Sequence, residues 1–323
     1  MGKITTVDIT KDDMPRWLEF RKNSGIGASE VGTVMGVNPY MSSIELFYKK
    51  IGVFDDMVVE NIPMFMGNIM EPIVADLWKY WSGTPESIIE NYRAGKIIRE
   101  NYEPRGYILN SDYPHMFFSP DRIIVEDEVE TGVLEIKTIS GWAAKKWEGG
   151  VPPSYIYQLV TYMLGYEKDH GELCPMEDGR FIDVIPFDMD DQLRNMGNQI
   201  VTHTEGFWGK VLQAREAIAS ELDYEQFAPA PDGSEAYKNF LSKQYEDNGD
   251  NTLHGTDEQL QDTFKHKKIK EAVKEFEYEL TLIENELKAY MKNSPILSFG
   301  ANGNVYWKAD KNGNRRFSIK TKA

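Results

Sequence analysis

Three residues in the middle of the chain have the types and spacing of a metal-dependent hydrolytic site. Asp121 is followed, after a gap of hairpin length, by Glu135 and Lys137. Residues 122–126 and 133–137 are rich in β-branched side chains, which predicts two short strands joined by a turn. Because side chains two apart on a strand share a face, we expect Glu135 and Lys137 both to point toward Asp121.

Such a group suits the hydrolysis of a phosphodiester. That reaction needs neutralisation of the phosphate charge, formation of hydroxide and stabilisation of the leaving oxygen. Mg²⁺ supplies all three and prefers carboxylate oxygens, so Asp121 and Glu135 are candidate ligands, with Mn²⁺ as a substitute. Lys137 would orient or help to deprotonate the attacking water, or balance the phosphate charge. The alternative is an exposed hairpin whose Glu and Lys side chains are solvated.

Further motifs surround this hairpin in the first 225 residues. They are, in chain order, RKNSGIGASEVG at 21–32, GVNPY at 36–40, SIELFYKKIG at 43–52, MGNIMEP at 66–72 and YQLVTYM at 157–163. In this order and at these spacings the chain resembles the YqaJ-like viral recombinase nucleases, a group similar to lambda exonuclease within the PD-(D/E)xK superfamily. The resemblance extends from about residue 16 to about residue 225.

The resemblance implies the composition of a metal site. Asp121 and Glu135 would be direct ligands, and the backbone carbonyl of Ile136 a further one. Glu71 would add another carboxylate from a helix that opens near residue 67, and Lys137 would be the catalytic lysine. The alternative for Glu71 is an acid in the first turn of that helix, where it would complement the helix dipole.

The resemblance also implies supporting and DNA-binding residues. Gln158 would assist the lysine from a following helix, although an amide buried against backbone groups is the alternative. Arg21, Ser29 and Ser119 match family positions that line a pocket for the 5′ phosphate of a DNA end. Arg21 is alternatively an ordinary surface arginine, and Ser29 alternatively a helix cap, a role compatible with phosphate binding.

The activity implied by this resemblance is that of a Mg²⁺-dependent deoxyribonuclease. We expect a 5′→3′ exonuclease that acts on linear double-stranded DNA and leaves 3′ single-strand tails for phage-type recombination. The alternatives are an endonuclease or single-strand nuclease on the same core, and a non-catalytic module that binds DNA ends or a recombinase. The implied partners are double-stranded DNA ends, a single-strand annealing protein, and further copies of the chain in a closed ring.

Composition excludes several other classes of protein. The single cysteine, Cys174, rules out an internal disulfide and thiolate metal sites, and the five scattered histidines form no HxxxH pair. No apolar run approaches the roughly 20 residues that span a membrane, and the N-terminus lacks a signal-peptide pattern. We therefore expect a cytoplasmic protein, in the cytosol of a bacterial host if the gene is of phage or prophage origin.

The net charge of −16 is unusual for a protein that binds DNA, because phosphate contacts dominate DNA affinity. The charge is uneven along the chain. From residue 255 onward, 13 basic residues stand against 10 acidic ones, a net of +3, which leaves −19 on residues 1–254. Binding to DNA would require basic residues to converge inside a channel while most carboxylates face solvent or a partner.

The hydrophobic patterns predict an α/β (α+β) fold in which a central sheet is flanked by helices. The resemblance implies that this is a PD-(D/E)xK restriction-endonuclease-like core with a central mixed sheet. The predicted helices cover 14–22, 28–35, 42–51, 67–82, 141–147, 154–165 and 188–220. Besides the hairpin, the predicted strands lie near 87–92, 96–99, 106–110, 115–118 and 180–186. We expect a nuclease domain over 1–225, a linker or arm over 226–255, and a tail over 256–323.

The tail is predicted to contain one long helix and a basic β-hairpin. Apolar residues recur at alternating steps of four and three, which is a heptad pattern. They are Ile269, Val273, Phe276, Leu280, Ile283, Leu287 and Tyr290. This stripe would pack on the nuclease core, on a second copy of the chain or on a recombination partner. The tail would alternatively guide DNA, with basic residues on phosphates and aromatic residues on bases.

Overall fold

The structure is a computed structural model and describes residues 2–10, 13–54, 61–147, 149–245, 249 and 252–321. The strands are β1 Ile4–Val7, β2 Ile26–Gly27, β3 Glu100–Tyr102, β4 Tyr107–Asn110, β5 Met116–Phe117, β6 Arg122–Glu126, β7 Val129–Ile139, β8 His170–Glu177, β9 Phe181–Ile182, β10 Ile185–Asp188, β11 Ile296–Ser298, β12 Gly303–Ala309 and β13 Arg315–Thr321. The helices are α1 Met14–Asn23, α2 Ala28–Val34, α3 Ser43–Ile51, α4 Ile62–Trp78, α5 Pro85–Arg93, α6 Gly141–Ala144, α7 Pro153–Gly165, α8 Asp191–Ala219, α9 Glu235–Gln244 and α10 Asp257–Met291.

A mixed sheet forms the centre of the first part of the chain. Its strand order is β10-β8-β7-β6-β3, and β9 pairs with β8. The β7–β8 pair is parallel, whereas β6–β7 and β8–β10 are antiparallel. One apolar cluster joins the sheet to residues of α2, α3, α7 and α8, and a second joins it to α4. The predicted fold class, a central mixed sheet flanked by helices, is therefore confirmed.

The chain divides into two compact units, residues 1–246 and 247–323. Helix α9 belongs to the first unit, since Tyr237 and Phe240 are buried in the same apolar cluster as α3 and α8. The segment 226–255, expected to be a linker or arm, thus includes a helix that packs on the core. Residues 246–248, 250 and 251 of that segment lie outside the described residues.

Local signals set the bounds of α3 as predicted. The hydroxyl of Ser42 accepts a hydrogen bond from the backbone N–H of Glu45 at 3.4 Å, which satisfies one free donor of the first turn. Gly52 ends the helix in the left-handed conformation, with φ of 83°. Because α3 packs against α8 and α1, these caps fix a helix that supports the N-terminal motifs.

Helix α5 replaces the strand predicted near 87–92, and that prediction is wrong. The hydroxyl of Thr84 accepts from the N–H of Ser87 at 3.4 Å, and Pro85 occupies the first helical turn. Proline there is preorganised for a helix and loses no hydrogen bond. These start signals outweigh the β-branched pair Ile88-Ile89. The next strand, β3, begins at Glu100 rather than near residue 96.

Helix α4 starts five residues earlier than predicted. The side chain of Asn61 caps it by accepting from the N–H of Met64 at 3.0 Å, and Ile62 is its first residue. Glu71 and Pro72 therefore lie inside the helix rather than in its first turn. The alternative role of Glu71 as a first-turn acid is wrong for this reason.

Strand β8 was not among the predicted elements, although it lies inside the sheet, between β10 and β7. Its sequence contains Gly171 and Pro175, which normally indicate turns. On the edge of β8 that pairs with β10 and β9, Pro175 lies after the last pair with β10 and before the first pair with β9. A proline is tolerated at such a gap in the pairing. The strand is almost wholly buried, so its formation depends on long-range pairing with β7.

The second unit contains the predicted long helix and hairpin. The hydroxyl of Thr256 accepts from the N–H of Gln259 at 3.3 Å, and the Gln259 side chain accepts from the N–H of Thr256 at 2.9 Å, which is a capping box. Strands β11, β12 and β13 form one antiparallel sheet. In the described part of the chain, no helix combines the length and apolar character needed to cross a membrane.

A buried polar network ties β8 to β10 and α4. Glu172, which is 4% exposed, accepts from the indole N–H of Trp78 at 2.7 Å and from Arg99 at 2.5 Å. His170 lies 3.2 Å from the same carboxylate and 2.7 Å from Asp188. Hydrogen bonding to Glu172, and then to Asp188, outweighs burial and raises the pKa of His170 to about 9.

We expect this network to make stability depend on pH. A raised histidine pKa contributes stability that is fully present below the unfolded value near 6.5 and is lost as pH rises through about 9. The stability difference between the wild type and His170→Gln should therefore shrink by about 1–2 kcal/mol between pH 6.5 and pH 9.5, after allowance for solvent screening. Urea unfolding at both pH values measures it, and a difference that stays constant would contradict the assignment.

Candidate active site

The β6–β7 hairpin brings Asp121, Glu135 and Lys137 together. Arg122 pairs with Leu134 across the hairpin, which places Asp121 beside the Glu135 end of β7. The carboxylate of Asp121 accepts a hydrogen bond from the backbone N–H of Ile136 at 2.7 Å. The N–H of Ile136 thus holds the carboxylate of Asp121. The residues on either side of Ile136 in β7 are Glu135 and Lys137, the other two members of the group.

Glu135 is the most enclosed member of the group, with 2% of its surface exposed. One carboxylate oxygen, Oε1, accepts from the ammonium of Lys137 at 2.5 Å and from the amide of Gln158 at 2.7 Å. The other oxygen, Oε2, has no hydrogen-bond partner among the described residues. A buried carboxylate oxygen without a donor is costly, and a cation or a proton shared with Asp121 would satisfy it.

Gln158 lies on α7 and is 8% exposed. Its amide also donates to the hydroxyl of Tyr162 at 3.2 Å, one turn further along the helix. The amide therefore contacts the carboxylate of Glu135 rather than Lys137, and it is not a buried amide satisfied only by backbone. The ammonium of Lys137 instead lies 5.2 Å from the ring of Tyr155, a residue that the sequence motifs did not indicate.

Burial and the neighbouring charges shift the pKa values of all three groups. Burial, and then the charge of Glu135, raises the pKa of Asp121 to about 7. Burial also raises the pKa of Glu135, although Lys137 opposes this. Burial lowers the pKa of Lys137, but the two carboxylates more than compensate, so its pKa lies above the usual lysine value. Lys137 is therefore an ammonium at neutral pH, and a cation near the two carboxylates would relieve their repulsion.

Glu71 reaches this region from α4 but is held by an arginine. Its carboxylate accepts from Arg122 at 2.8 Å, and Arg122 also donates to the backbone carbonyl of Asp121 at 2.5 Å. The charge of Glu71 contributes to the raised pKa of Glu135, so the two carboxylates are neighbours. Within the described ranges, no three His, Cys, Asp or Glu side chains are grouped closely enough to hold a metal ion.

A second cluster contains Arg21 and Ser29, two of the predicted phosphate-pocket residues. One guanidinium nitrogen of Arg21 donates to the hydroxyl of Ser29 at 3.2 Å and to the carboxylate of Glu30 at 3.1 Å. The guanidinium also lies 4.9 Å from the ring of Trp17. Arg21 is thus not an isolated surface arginine. Ser29 lies inside α2, whose N-cap is Gly27, so the interpretation of Ser29 as the helix cap is wrong.

Glu30 and Lys50 complete this second cluster, and neither was among the predicted site residues. The carboxylate of Glu30 accepts from Lys50 at 2.7 Å and from the N–H of Gly27 at 2.8 Å. Glu30 and Lys50 both lie in motifs quoted from the sequence. The signal that could have identified this pair was Lys50, a basic residue on the buried face of α3. The hydroxyl of Ser119, the third predicted pocket residue, donates to the carbonyl of Gly106 at 3.0 Å rather than to this cluster.

The chain has clear sequence relatives. The profile of the YqaJ-like viral recombinase domain matches residues 16–165. An uncharacterised protein YqaJ of Bacillus subtilis (strain 168) is 27% identical over 297 residues, which is 90% of this chain and 82% of that protein. Residues 16–165 are therefore similar to the YqaJ-like viral recombinase domain, and the resemblance seen in the motifs is confirmed.

Two solved structures resemble the fold more distantly. The alkaline exonuclease of Laribacter hongkongensis is 20% identical, with a TM-score of 0.47 over 64% of this chain and 97% of that one. A phage-related exonuclease from Haemophilus somnus 129PT is 11% identical, with a TM-score of 0.34 over 61% of this chain and 96% of that one. The similarity of residues 16–165 to the viral recombinase domain, rather than these two structures, supports a nuclease role on DNA.

Proposed function

We propose that the first unit is a Mg²⁺-dependent exodeoxyribonuclease that degrades linear double-stranded DNA in the 5′→3′ direction and leaves 3′ single-strand tails. The observation that carries this proposal is the group of Asp121, Lys137 and the buried Glu135, in which one oxygen of Glu135 has no donor among the described residues. A phosphodiester hydrolase needs this combination of hard anionic ligands and one fixed ammonium.

The residues present suit a divalent metal ion. Mg²⁺ retains several waters and is commonly held by one or two carboxylates together with substrate phosphate, so two close carboxylates are sufficient. Asp121 and Glu135 would hold the ion, with Ile136 supplying a backbone carbonyl and Glu71 a further carboxylate. Bound Mg²⁺ would supply a hydroxide at neutral pH and neutralise phosphate charge, and Mn²⁺ would substitute.

The protein groups around the ion would orient the reactants. Gln158 fixes the plane of the Glu135 carboxylate through its hydrogen bond at 2.7 Å. Lys137 remains protonated because its pKa is raised by Glu135 and Asp121 despite burial. An ammonium in this position orients the attacking water and balances charge on the phosphate, and it is a poor general base. Of the three roles considered for Lys137, we therefore favour orientation of the attacking water and balance of the phosphate charge over deprotonation of the water.

The polarity of degradation is assigned to the Arg21 cluster. Arg21 and Ser29 would bind the 5′ phosphate of the DNA end, with Lys50 adding positive charge and Glu30 holding both cations in place. A guanidinium and a hydroxyl are well suited to bind phosphate oxygens. Ser119 lies two residues before Asp121 and would contact the same strand. The protein would act in the cytoplasm of a bacterial host, as a ring of several copies that delivers single strands to an annealing protein.

The first experiment compares linear and closed-circular duplexes, with Mg²⁺ or EDTA, and linear ends with or without a 5′ phosphate. We expect metal-dependent loss of linear DNA only, faster with the phosphate. Lys137→Met should lower the rate by about 10²–10³-fold, the effect of removing one fixed charge-stabilising group. Lys238→Met is the matched control, because Lys238 is an exposed lysine on α9, and it should leave the rate unchanged.

Three results would change the proposal. Cleavage of the circle would indicate an endonuclease on the same core. Equal rates with and without the 5′ phosphate would remove the assignment of the Arg21 cluster to the DNA end. Binding of DNA ends without cleavage, in either Mg²⁺ or Mn²⁺, would leave a non-catalytic DNA-end or recombinase-binding module.

A further inference from the structure

Five apolar side chains form one exposed stripe along α10, which we call the seam. Ile269 is 54% exposed, Val273 47%, Phe276 69%, Leu280 59% and Ile283 53%. They recur at alternating intervals of four and three residues, so all five lie on the same side of the helix. A continuous stripe of large apolar side chains in water marks an interaction surface rather than a solvated face.

The charges beside the seam change sign along the helix. Residues 265–274 contain five lysines and one glutamate, whereas residues 275–286 contain five glutamates and no basic residue. If a second copy of the helix packs in the antiparallel direction, the basic half of each copy lies against the acidic half of the other. A parallel copy would place like charges against each other. The charge pattern therefore matches this helix to itself in one orientation only.

We propose that α10 pairs with α10 of a second copy of this chain as an antiparallel coiled coil centred on the 274–275 peptide bond. In this register Ile269 of one copy lies opposite Leu280 of the other, and Val273 opposite Phe276. Each contact occurs twice because the pair is two-fold symmetric. Four of the five seam residues thus meet an apolar side chain of the other copy, whereas Ile283 lies opposite His266.

The same register places complementary charges along both edges of the seam. Lys270 lies beside Glu277 of the other copy, and Lys265 beside Glu286. In the parallel arrangement, Lys265 would instead lie beside Lys270 of its neighbour. Exposed ion pairs add little affinity, but like-charge contacts disfavour the wrong orientation, so these residues select the antiparallel pair.

Disulfide exchange between two single-cysteine variants of the full chain tests the orientation. Ile269→Cys and Leu280→Cys are prepared separately, and the native Cys174 is buried. In the antiparallel register, equal residues are about 16 Å apart along the axis, too far for a disulfide, whereas residues 269 and 280 of different copies face each other. Under mild oxidation we expect covalent dimers when the two variants are mixed and little from either alone. Efficient dimers from each variant alone, with no gain on mixing, would indicate a parallel pair and overturn the proposal.

Sedimentation of the full chain provides an independent test. Phe276→Glu places a charge in the seam and should weaken self-association by ~10-fold or more, halving the mass of the assembly at moderate concentration. Tyr278→Glu is the matched control, because Tyr278 is 70% exposed but lies off the seam, and it should leave the mass unchanged. A wild type with the same mass as Phe276→Glu at all concentrations would overturn the pairing. The pairing goes beyond the proposed nuclease activity, which is assayed separately on the same samples.

Discussion

Replacing Asp121 by asparagine should abolish DNA cleavage and, at the same time, make the metal-free protein more stable. The amide oxygen of Asn keeps an acceptor for the N–H of Ile136, which now donates to Asp121 at 2.7 Å. The substitution removes one of the carboxylate ligands that would bind Mg²⁺, so we expect a loss of at least about 10²–10³-fold in rate. It also removes the repulsion between this carboxylate and Glu135.

The sign of the stability effect follows from the raised pKa. Burial, and then Glu135, moves the pKa of Asp121 from 3.8 to about 7 in the folded, metal-free protein. A raised carboxyl pKa means that folding disfavours the ionised form, so stability is lost as pH rises from about 4 to about 7. The variant should match the wild type below pH 4. At pH 8 in EDTA it should melt about 2–4 °C higher, the shift expected for ~1 kcal/mol in a domain of this size.

Added Mg²⁺ should reverse the order of stability. Metal that binds only the folded state raises its stability by mass action, and the wild type has the stronger site. Asp76→Asn is the matched control, because Asp76 also lies in the first unit but is exposed and pairs with Lys79, the residue after the end of α4. A lower melting temperature for Asp121→Asn in EDTA at pH 8 would show that the carboxylate is satisfied without metal. Equal stabilisation of the wild type and Asp121→Asn by Mg²⁺ would exclude Asp121 as a ligand.

The hairpin could be predicted because its signals are local. Residues 122–126 and 133–137 carry β-branched side chains on both sides of a polar turn, and the alternation of side chains then fixes which groups meet. The caps of α3 are equally local, since Ser42 and Gly52 act on the helix that lies between them. Patterns of this kind involve residues close in the sequence, so they can be evaluated without the rest of the fold.

The elements that were predicted wrongly depend on contacts distant in the sequence. Strand β8 lies beside β7 in a parallel pair, and that pairing outweighs the turn signals of Gly171 and Pro175. Helix α9 has a weak pattern of its own and is fixed by the burial of Tyr237 and Phe240 in the core. Its assignment to a linker was reasonable from composition, because the flanking prolines and glycines indicate loops.

The site shows the same division. The positions of Asp121, Glu135 and Lys137 follow from one hairpin. The link between Glu71 and Arg122 does not, because it joins α4 to β6 over 51 residues of sequence. That ion pair affects the proposed metal site, because Arg122 would compete with the metal ion for the carboxylate of Glu71. Charge partners of this kind are fixed by tertiary packing, so residue types alone did not indicate them.

The largest effect on stability is expected from Glu30→Gln. Its carboxylate is bonded to Lys50 at 2.7 Å and to Arg21 at 3.1 Å, and Lys50 is only 2% exposed. Removal of the carboxylate charge leaves a buried ammonium beside a guanidinium without an anion. Breaking a buried pair in this way costs about 3–5 kcal/mol, because the remaining charge is desolvated and uncompensated.

The pH dependence gives this prediction a second readout. Burial opposes ionisation of Glu30, but Lys50 and Arg21 outweigh it and lower the pKa of the carboxyl below 4.5. Burial acts in the other direction on Lys50 and lowers its pKa despite Glu30. The carboxylate contributes stability above about pH 4.5 that is lost as pH falls through its folded-state pKa. The difference between the wild type and Glu30→Gln should therefore be largest near neutral pH and decrease in acid.

Two further variants separate the missing charge from a general disturbance of the fold. Glu235→Gln removes a carboxylate paired with Lys238 at 3.2 Å on the surface of α9 and should cost less than about 1 kcal/mol. Glu30→Gln combined with Lys50→Met removes both members of the buried pair and should recover much of the loss, because no unpaired ammonium remains. Urea unfolding of all four proteins measures these differences. A double variant as unstable as Glu30→Gln alone would mean that the hydrogen bond from the N–H of Gly27 to the Glu30 carboxylate, rather than the charge balance, holds the start of α2 in place.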